Sequence, residues 1–174
     1  MLAFRLSYTD WIDGGWSIED AERLASDLKQ DGVDLIDVSS GGNSPATVAL
    51  MSELRGQSPL TQKTSGVIPL APGYQVPGAT RIRTSAQVPV SAVGLITEPH
   101  HAESIVRNEQ ADLVMLAREL LRDPNWPIHA AIKLKQTSKM RIPVQYHLAW
   151  KNLGSFSYTP VSAPCLSEVS ANRE

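Results

Sequence analysis

Few side chains in this sequence are of types that do chemistry, and most of them sit where an apolar run turns polar. Arg5 interrupts the run 2–7 near its polar end, where its guanidinium either faces a ligand or pairs with Asp10 or Asp37. Gly94 closes the run 88–93, and Arg118 follows the run 111–117. Glycine lets backbone approach an anion closely, and a guanidinium adds a charge-assisted contact. A single glycine after a strand is equally an ordinary turn, and Ser39, Ser40 and Gly41 after the run 33–38 carry the same two readings. Of the four histidines, His100 and His101 open a helix with no third ligand at metal spacing, so they and His129 read as surface residues and no metal is expected. Cys165 is the single cysteine, so no intramolecular disulfide forms, and its polar tail marks it as a bystander rather than a nucleophile.

The elements that must position these residues alternate. The strand of residues 2–7 is followed by Asp13-Gly14-Gly15 and a helix with Ser17 as N-cap and Asp20 at the capping-box position. Ala21, Leu24, Ala25 and Leu28 form its apolar stripe, and Gly32 fits its C-terminal stop. The strand 33–38 comes next. The stretch 43–71 is rich in Ser, Pro, Thr and Gly, with one short helical pattern at 47–54, and is either functional, disordered or anomalous; its part 47–65 reads as a capping loop or as non-coding sequence retained in the gene model. A helix at 76–86, the strand 88–93, a helix at 99–108 capped by Thr97, and the strand 111–117 complete the alternation. Residues 118–123 read as a turn, and Pro124 at the first helical position starts a helix to about residue 135. Residues 143–150 read as a docking segment and 151–174 as a disordered tail.

This order, β-α-β-α-β-α-β-α, predicts an α/β fold with a parallel sheet and right-handed crossovers. Polar residues gather at the C-terminal strand ends, where both barrels and doubly wound sheets place their sites. Periodicity does not separate half of a (β/α)8 barrel from a small doubly wound sheet. The chain has 174 residues, 42% hydrophobic and 20% charged, and a net charge of −2, which supplies no basic field for nucleic acid or an anionic membrane. No apolar run approaches the roughly 18 residues of a membrane span, and no leader pattern opens the chain, so the expected compartment is the cytoplasm.

Several stretches together resemble the old yellow enzyme family of FMN-dependent ene-reductases, in its bacterial subgroup. They are Arg5-Leu6-Ser7 with Asp10-Trp11; Gly32-Val33-Asp34-Leu35-Ile36-Asp37-Val38-Ser39-Ser40-Gly41-Gly42; and Pro72-Gly73-Tyr74-Gln75-Val76-Pro77. Ala92-Val93-Gly94-Leu95-Ile96-Thr97 follows, then Ala111-Asp112-Leu113-Val114, Arg118-Glu119-Leu120-Leu121-Arg122-Asp123-Pro124, and Pro143-Val144-Gln145-Tyr146. The match runs over residues 2–150, in the family's order.

The resemblance implies the C-terminal half of a flavin-binding (β/α)8 TIM barrel, residues 1–150. It implies FMN as cofactor, NAD(P)H as hydride donor and an activated alkene as the small-molecule substrate, with hydride passing through flavin N5. Arg5 matches the arginine beside flavin N1 and O2, where a fixed cation stabilises the charge of the reduced ring. Val93, Gly94, Ala117 and Arg118 match the phosphate site after the seventh and eighth barrel strands, although the family commonly has glycine at Ala117. Ser39-Ser40-Gly41 would lie at the sixth strand's end, near the substrate, while Tyr74 and Gln75 read as structural. Leu148, flanked by His147, stands where relatives carry an arginine that reaches a neighbouring subunit.

The substrate-gripping pair, the proton-donating tyrosine and the contacts to flavin N5 belong to the family's first half, so no catalytic residue is assigned. A half-barrel with two unpaired strand edges leaves room for a homo-oligomer. Two readings stand beside the oxidoreductase: a catalytically inactive FMN- or phosphate-binding half-barrel, and another phosphate-binding barrel enzyme sharing only the anion site.

Overall fold

The apolar runs become the strands of a parallel sheet. A computed structural model of the chain describes residues 1–11, 14–41, 68 and 70–159, divided between two compact units, Met1–Arg122 and Asp123–Glu174. In the first unit the strands are β1 (Ala3–Ser7), β2 (Leu35–Ser39), β3 (Val90–Ala92) and β4 (Leu113–Val114). All pair in parallel, in the order β1-β2-β3-β4. The helices between them are α1 (Ile18–Gln30), α2 (Val76–Ala86) and α3 (Pro99–Arg107), and a short α4 (Arg118–Arg122) follows β4.

Strand order decides between the two architectures. A doubly wound sheet reverses its order at a switch point, sending helices to both faces. Here the order never reverses, so right-handed crossovers put α1, α2 and α3 on one face, as in a barrel. The register shows the two faces: Leu6, Val38 and Ala92 form one row, and Arg5, Asp37, Ser91 and Leu113 the next row on the opposite side. Leu6, Ile36, Val38, Val90 and Ala92 are buried, as are Ala21, Ala25, Ala79, Ile82, Ala102 and Ile105 on the helices. The helix-free face carries Leu113 at 50% and Met115 at 40% exposure. The architecture is that of the C-terminal half of a (β/α)8 barrel.

Local chemistry sets the ends of α1. Asp20 N–H donates to Ser17 Oγ at 3.2 Å and Ser17 N–H to Asp20 Oδ2 at 3.0 Å, the reciprocal capping box. At the other end Gly32 has φ +91°, with Gly32 N–H on the Lys29 carbonyl and Val33 N–H on the Leu28 carbonyl. This is a Schellman stop, whose left-handed residue glycine adopts without a Cβ clash.

The described part of the second unit, residues 123–159, holds α5 (Trp126–Lys133), β5 (Arg141–Pro143), α6 (His147–Trp150) and β6 (Ser157–Thr159), with β5 and β6 parallel. Its core is Ala130, Ile142 and Phe156. Trp150 meets both His129 and Phe156 edge-on, at centroid distances of 5.6 and 6.5 Å.

The structure corrects several expectations. Residues 118–122 form α4 rather than a turn, because Leu120 and Leu121 N–H groups reach the Ala117 carbonyl and Glu119 pairs with Arg122. The next helix begins at Trp126, with Pro127 in place of Pro124 in its first turn, because Asn125 N–H bonds Asp123 Oδ1 in a local turn. Glu98, not Thr97, is the N-cap of α3; it makes no side-chain cap bond, and Pro99 occupies the first helical position. The fourth strand is only Leu113–Val114, because its partner β3 ends at Ala92, the residue opposite Val114. Within the segment expected as a tail, residues 157–159 form β6, and the residues from 160 onward lie outside the described ones. The 47–54 pattern, nearly all of the stretch 43–71, and Cys165 lie outside the described residues.

Candidate functional site

The C-terminal ends of the strands are tied together by the chain's own polar groups. Tyr8 N–H donates to the Ser39 carbonyl at 2.8 Å, closing β1 against β2. The Gln75 side chain, buried at 4% exposure, bridges β2 and β3. Its Oε1 accepts from the Ser40 N–H and from Ser40 Oγ at 2.8 Å, and its Nε2 donates to the Val93 carbonyl at 3.0 Å. Met115 N–H donates to the Ala92 carbonyl at 2.8 Å and holds β4 beside β3.

Two of the expected site segments follow from this register. Val93-Gly94 begins one residue past the end of β3, and Ala117-Arg118 lies two and three residues past Met115, on the neighbouring strand. The turns therefore emerge side by side at one sheet edge. Gly94 is buried at φ +125°. A Cβ there would lie 2.9 Å from Gln75 Nε2 and 3.0 Å from the Tyr74 ring, so conformation and packing both require glycine. The carbonyls of the two turns are engaged inward: Val93 by Gln75, Gly94 by Gly73 N–H at 2.7 Å, and Ala117 by the α4 amides. Turns whose carbonyls are bound within the fold do not oppose an anion with them. Ala117 and Arg118 are exposed, and Arg118 is the first residue of α4.

Arg5 occupies the helix-free face of β1. Its side chain is 62% exposed, and Nη1 lies 3.2 Å from Asp37 Oδ2. Of the two carboxylates open to it by sequence, Asp37 is therefore the partner, while Asp10 Oδ2 accepts the Trp16 N–H at 3.1 Å. The structure does not bring Arg5 onto the strands that carry Val93-Gly94 and Ala117-Arg118; β2 stands between.

Three features had weaker sequence signals. Ser91, fully buried, donates to Asp37 Oδ1 at 2.9 Å, a contact that emerges only from the strand register. Tyr8 packs on α2 so closely that a Cβ on Gly78 would lie 2.4 Å from its ring. Burial, with a contribution from Tyr74, pushes the Tyr8 phenol up to about 12. His101, expected on the surface, packs against Gly73, where a Cβ would approach its ring to 2.8 Å.

The opposite end of the sheet is built for stability. Arg83 Nε and Nη2 grip the Asp112 carboxylate at 3.0–3.2 Å, and Asp112 Oδ2 also accepts the Val90 N–H at 2.9 Å. These bonds, Arg83's first, hold the Asp112 carboxyl below its ordinary value. An open depression of about 450 Å³ beside them is lined by Arg83, Thr84, Gln87 and Asp112, at the end of the strands away from the site. Among the described residues no helix is long and apolar enough to cross a membrane.

Fold and strand-end chemistry define an α/β half-barrel with a candidate anion site and a separate cation on its inner face. Residues 1–137 match the model of the NADH:flavin oxidoreductase / NADH oxidase family. The chain belongs to that family.

It is 42% identical over 149 residues to an NADPH dehydrogenase of Halalkalibacterium halodurans, covering 86% of this chain and 38% of that protein. An NADPH dehydrogenase of Geobacillus sp. is 42% identical over 150 residues, with the same coverage. One from Listeria monocytogenes is 42% identical over 147 residues, 84% of this chain and 37% of that one. The chain thus spans well under half the length of these relatives. Among solved structures, the histamine dehydrogenase of Rhizobium sp. 4-9 superposes with a TM-score of 0.54 at 22% identity, over 77% of this chain and 17% of that one, a likeness of fold.

Proposed function

We propose that this chain supplies part of the FMN site of an NAD(P)H-dependent oxidoreductase, with Val93, Gly94, Ala117 and Arg118 at the phosphate and Arg5 at the pyrimidine end of the ring. The observation that carries the reading is the pair of adjacent turns after β3 and β4, their carbonyls engaged inward and Arg118 exposed beside them. Bound there, the flavin supplies two-electron chemistry between a nicotinamide and an activated alkene. The chain's own residues bind and polarise: backbone N–H groups and Arg118 hold the phosphate, and Arg5 offsets negative charge at the pyrimidine end of the ring.

The whole protein's activity, as an NADPH dehydrogenase acting on small-molecule alkenes in the cytoplasm, is part of this proposal, as is self-association through the strand edges. Membrane and nucleic acid are not among the proposed partners.

The test compares FMN with riboflavin, which lacks the phosphate. Arg118→Ala should weaken FMN binding by roughly 1.5–3 kcal/mol, the range for a hydrogen bond to a charged group, and leave riboflavin unaffected. Unchanged FMN affinity removes Arg118 from the site.

A further inference from the structure

We infer that Asp37, held in place by Ser91, is the positioning residue for Arg5, fixing the direction of its guanidinium and offsetting part of its charge. The inference rests on the flavin reading for its purpose and on the sheet for its geometry. Arg5, Asp37 and Ser91 occupy one register row on three consecutive strands, on the face the helices leave open. Side chains in such a row stand next to one another across strands about 4.8 Å apart.

Their surroundings are graded. Ser91 is fully buried, the Asp37 side chain is 11% exposed, and the Arg5 side chain is 62% exposed. Ser91 Oγ donates to one carboxylate oxygen at 2.9 Å, and the other lies 3.2 Å from Arg5 Nη1. The serine thus orients the carboxylate, and the carboxylate orients the arginine. The approach to Asp37 is through Nη1, on a side chain that is 62% exposed.

A merely structural pair would look different. Arg83 and Asp112 in the same unit show that arrangement: two nitrogens chelate the carboxylate, which also accepts a backbone N–H. Arg5 makes a one-point contact instead, from the exposed face of an edge strand. Among the described residues Asp37 is the charged group beside this long side chain, and a partner limits its rotamer freedom, so Asp37 sets where the cation points. A buried carboxylate beside it also reduces the positive potential that any ligand on this face experiences.

The test uses the full 174-residue chain and side-chain nitrogen relaxation of Arg5 Nε. Asp37→Asn and Ser91→Ala should each lower the Nε order parameter, while backbone amides of β1 keep the rigid value of about 0.85. Ser91→Ala changes no charge and removes only a hydroxyl, so it carries the test where Asp37→Asn compromises folding.

The second readout is the ratio of affinities for reduced and oxidised FMN. Asp37→Asn should raise that ratio at least about fivefold, because the reduced ring is anionic and the cation loses its counter-charge. Unchanged Arg5 order in both variants overturns the positioning role, and an unchanged ratio overturns the charge role. Loosened Arg5 in the two variants, with a wild-type chain that takes up no FMN, upholds the positioning and rejects the flavin reading.

Discussion

Gly94 and Gln75 are packed so closely that a Cβ on residue 94 would lie 2.9 Å from the Gln75 side-chain nitrogen. That nitrogen is the one bonded to the Val93 carbonyl, so the turn after β3 and the bridge between β2 and β3 form one structure.

Gly94→Ala therefore adds a methyl group to a buried turn at φ +125° and pushes on the bridge together. It should destabilise the chain by about 1–3 kcal/mol, the cost of holding a non-glycine residue in that region. Urea unfolding measures it; an unchanged midpoint contradicts the packing described here.

Tyr8 should titrate late, well above the ordinary tyrosine value of 10. Its phenol is pushed up to about 12 by burial against α2. A raised folded value means that its stabilisation is fully present below the unfolded value near 10 and is lost as the pH climbs towards 12. Absorbance of phenolate against pH should show this late step, and Tyr8→Phe should abolish it and reduce the alkaline loss of stability. A single tyrosine transition near 10 in the wild type would place Tyr8 in solvent.

At the other end of the sheet, Arg83 holds the Asp112 carboxyl below its ordinary value of 3.8. A lowered folded value contributes stability that is present above the unfolded value and disappears as the pH falls through the folded one. Asp112→Asn should therefore lower stability at neutral pH and flatten the acid limb of the stability curve below pH 4. An acid limb identical in the variant and the parent would mean that the chelated pair does not govern it.

What was legible in the sequence follows the range of the forces involved. The capping box of α1 and its stop at Gly32 are set within four or five residues, and both stand as the spacing predicts. The start of α5 was misplaced because two prolines compete for it, and the turn made by Asp123 decides in favour of Pro127. The apolar run 111–117 overstates β4, because an apolar run does not reveal that the partner strand ends at Ala92. The ambiguity between a barrel half and a doubly wound sheet needed the strand order.

The candidate site divides along the same line. Arg5 stood out by its position in an apolar run, but choosing Asp37 over Asp10 required the register. Ser91 gave no sequence signal, since a serine in a short strand is ordinary until its neighbour across the sheet is known.

FMN titration of the purified chain, followed by flavin fluorescence and visible absorbance with circular dichroism as the check on folding, tests the central claim most directly. Saturable binding near one flavin per chain is predicted. A folded chain that leaves the flavin spectrum unchanged at every concentration would contradict the account and place the cofactor site outside these residues.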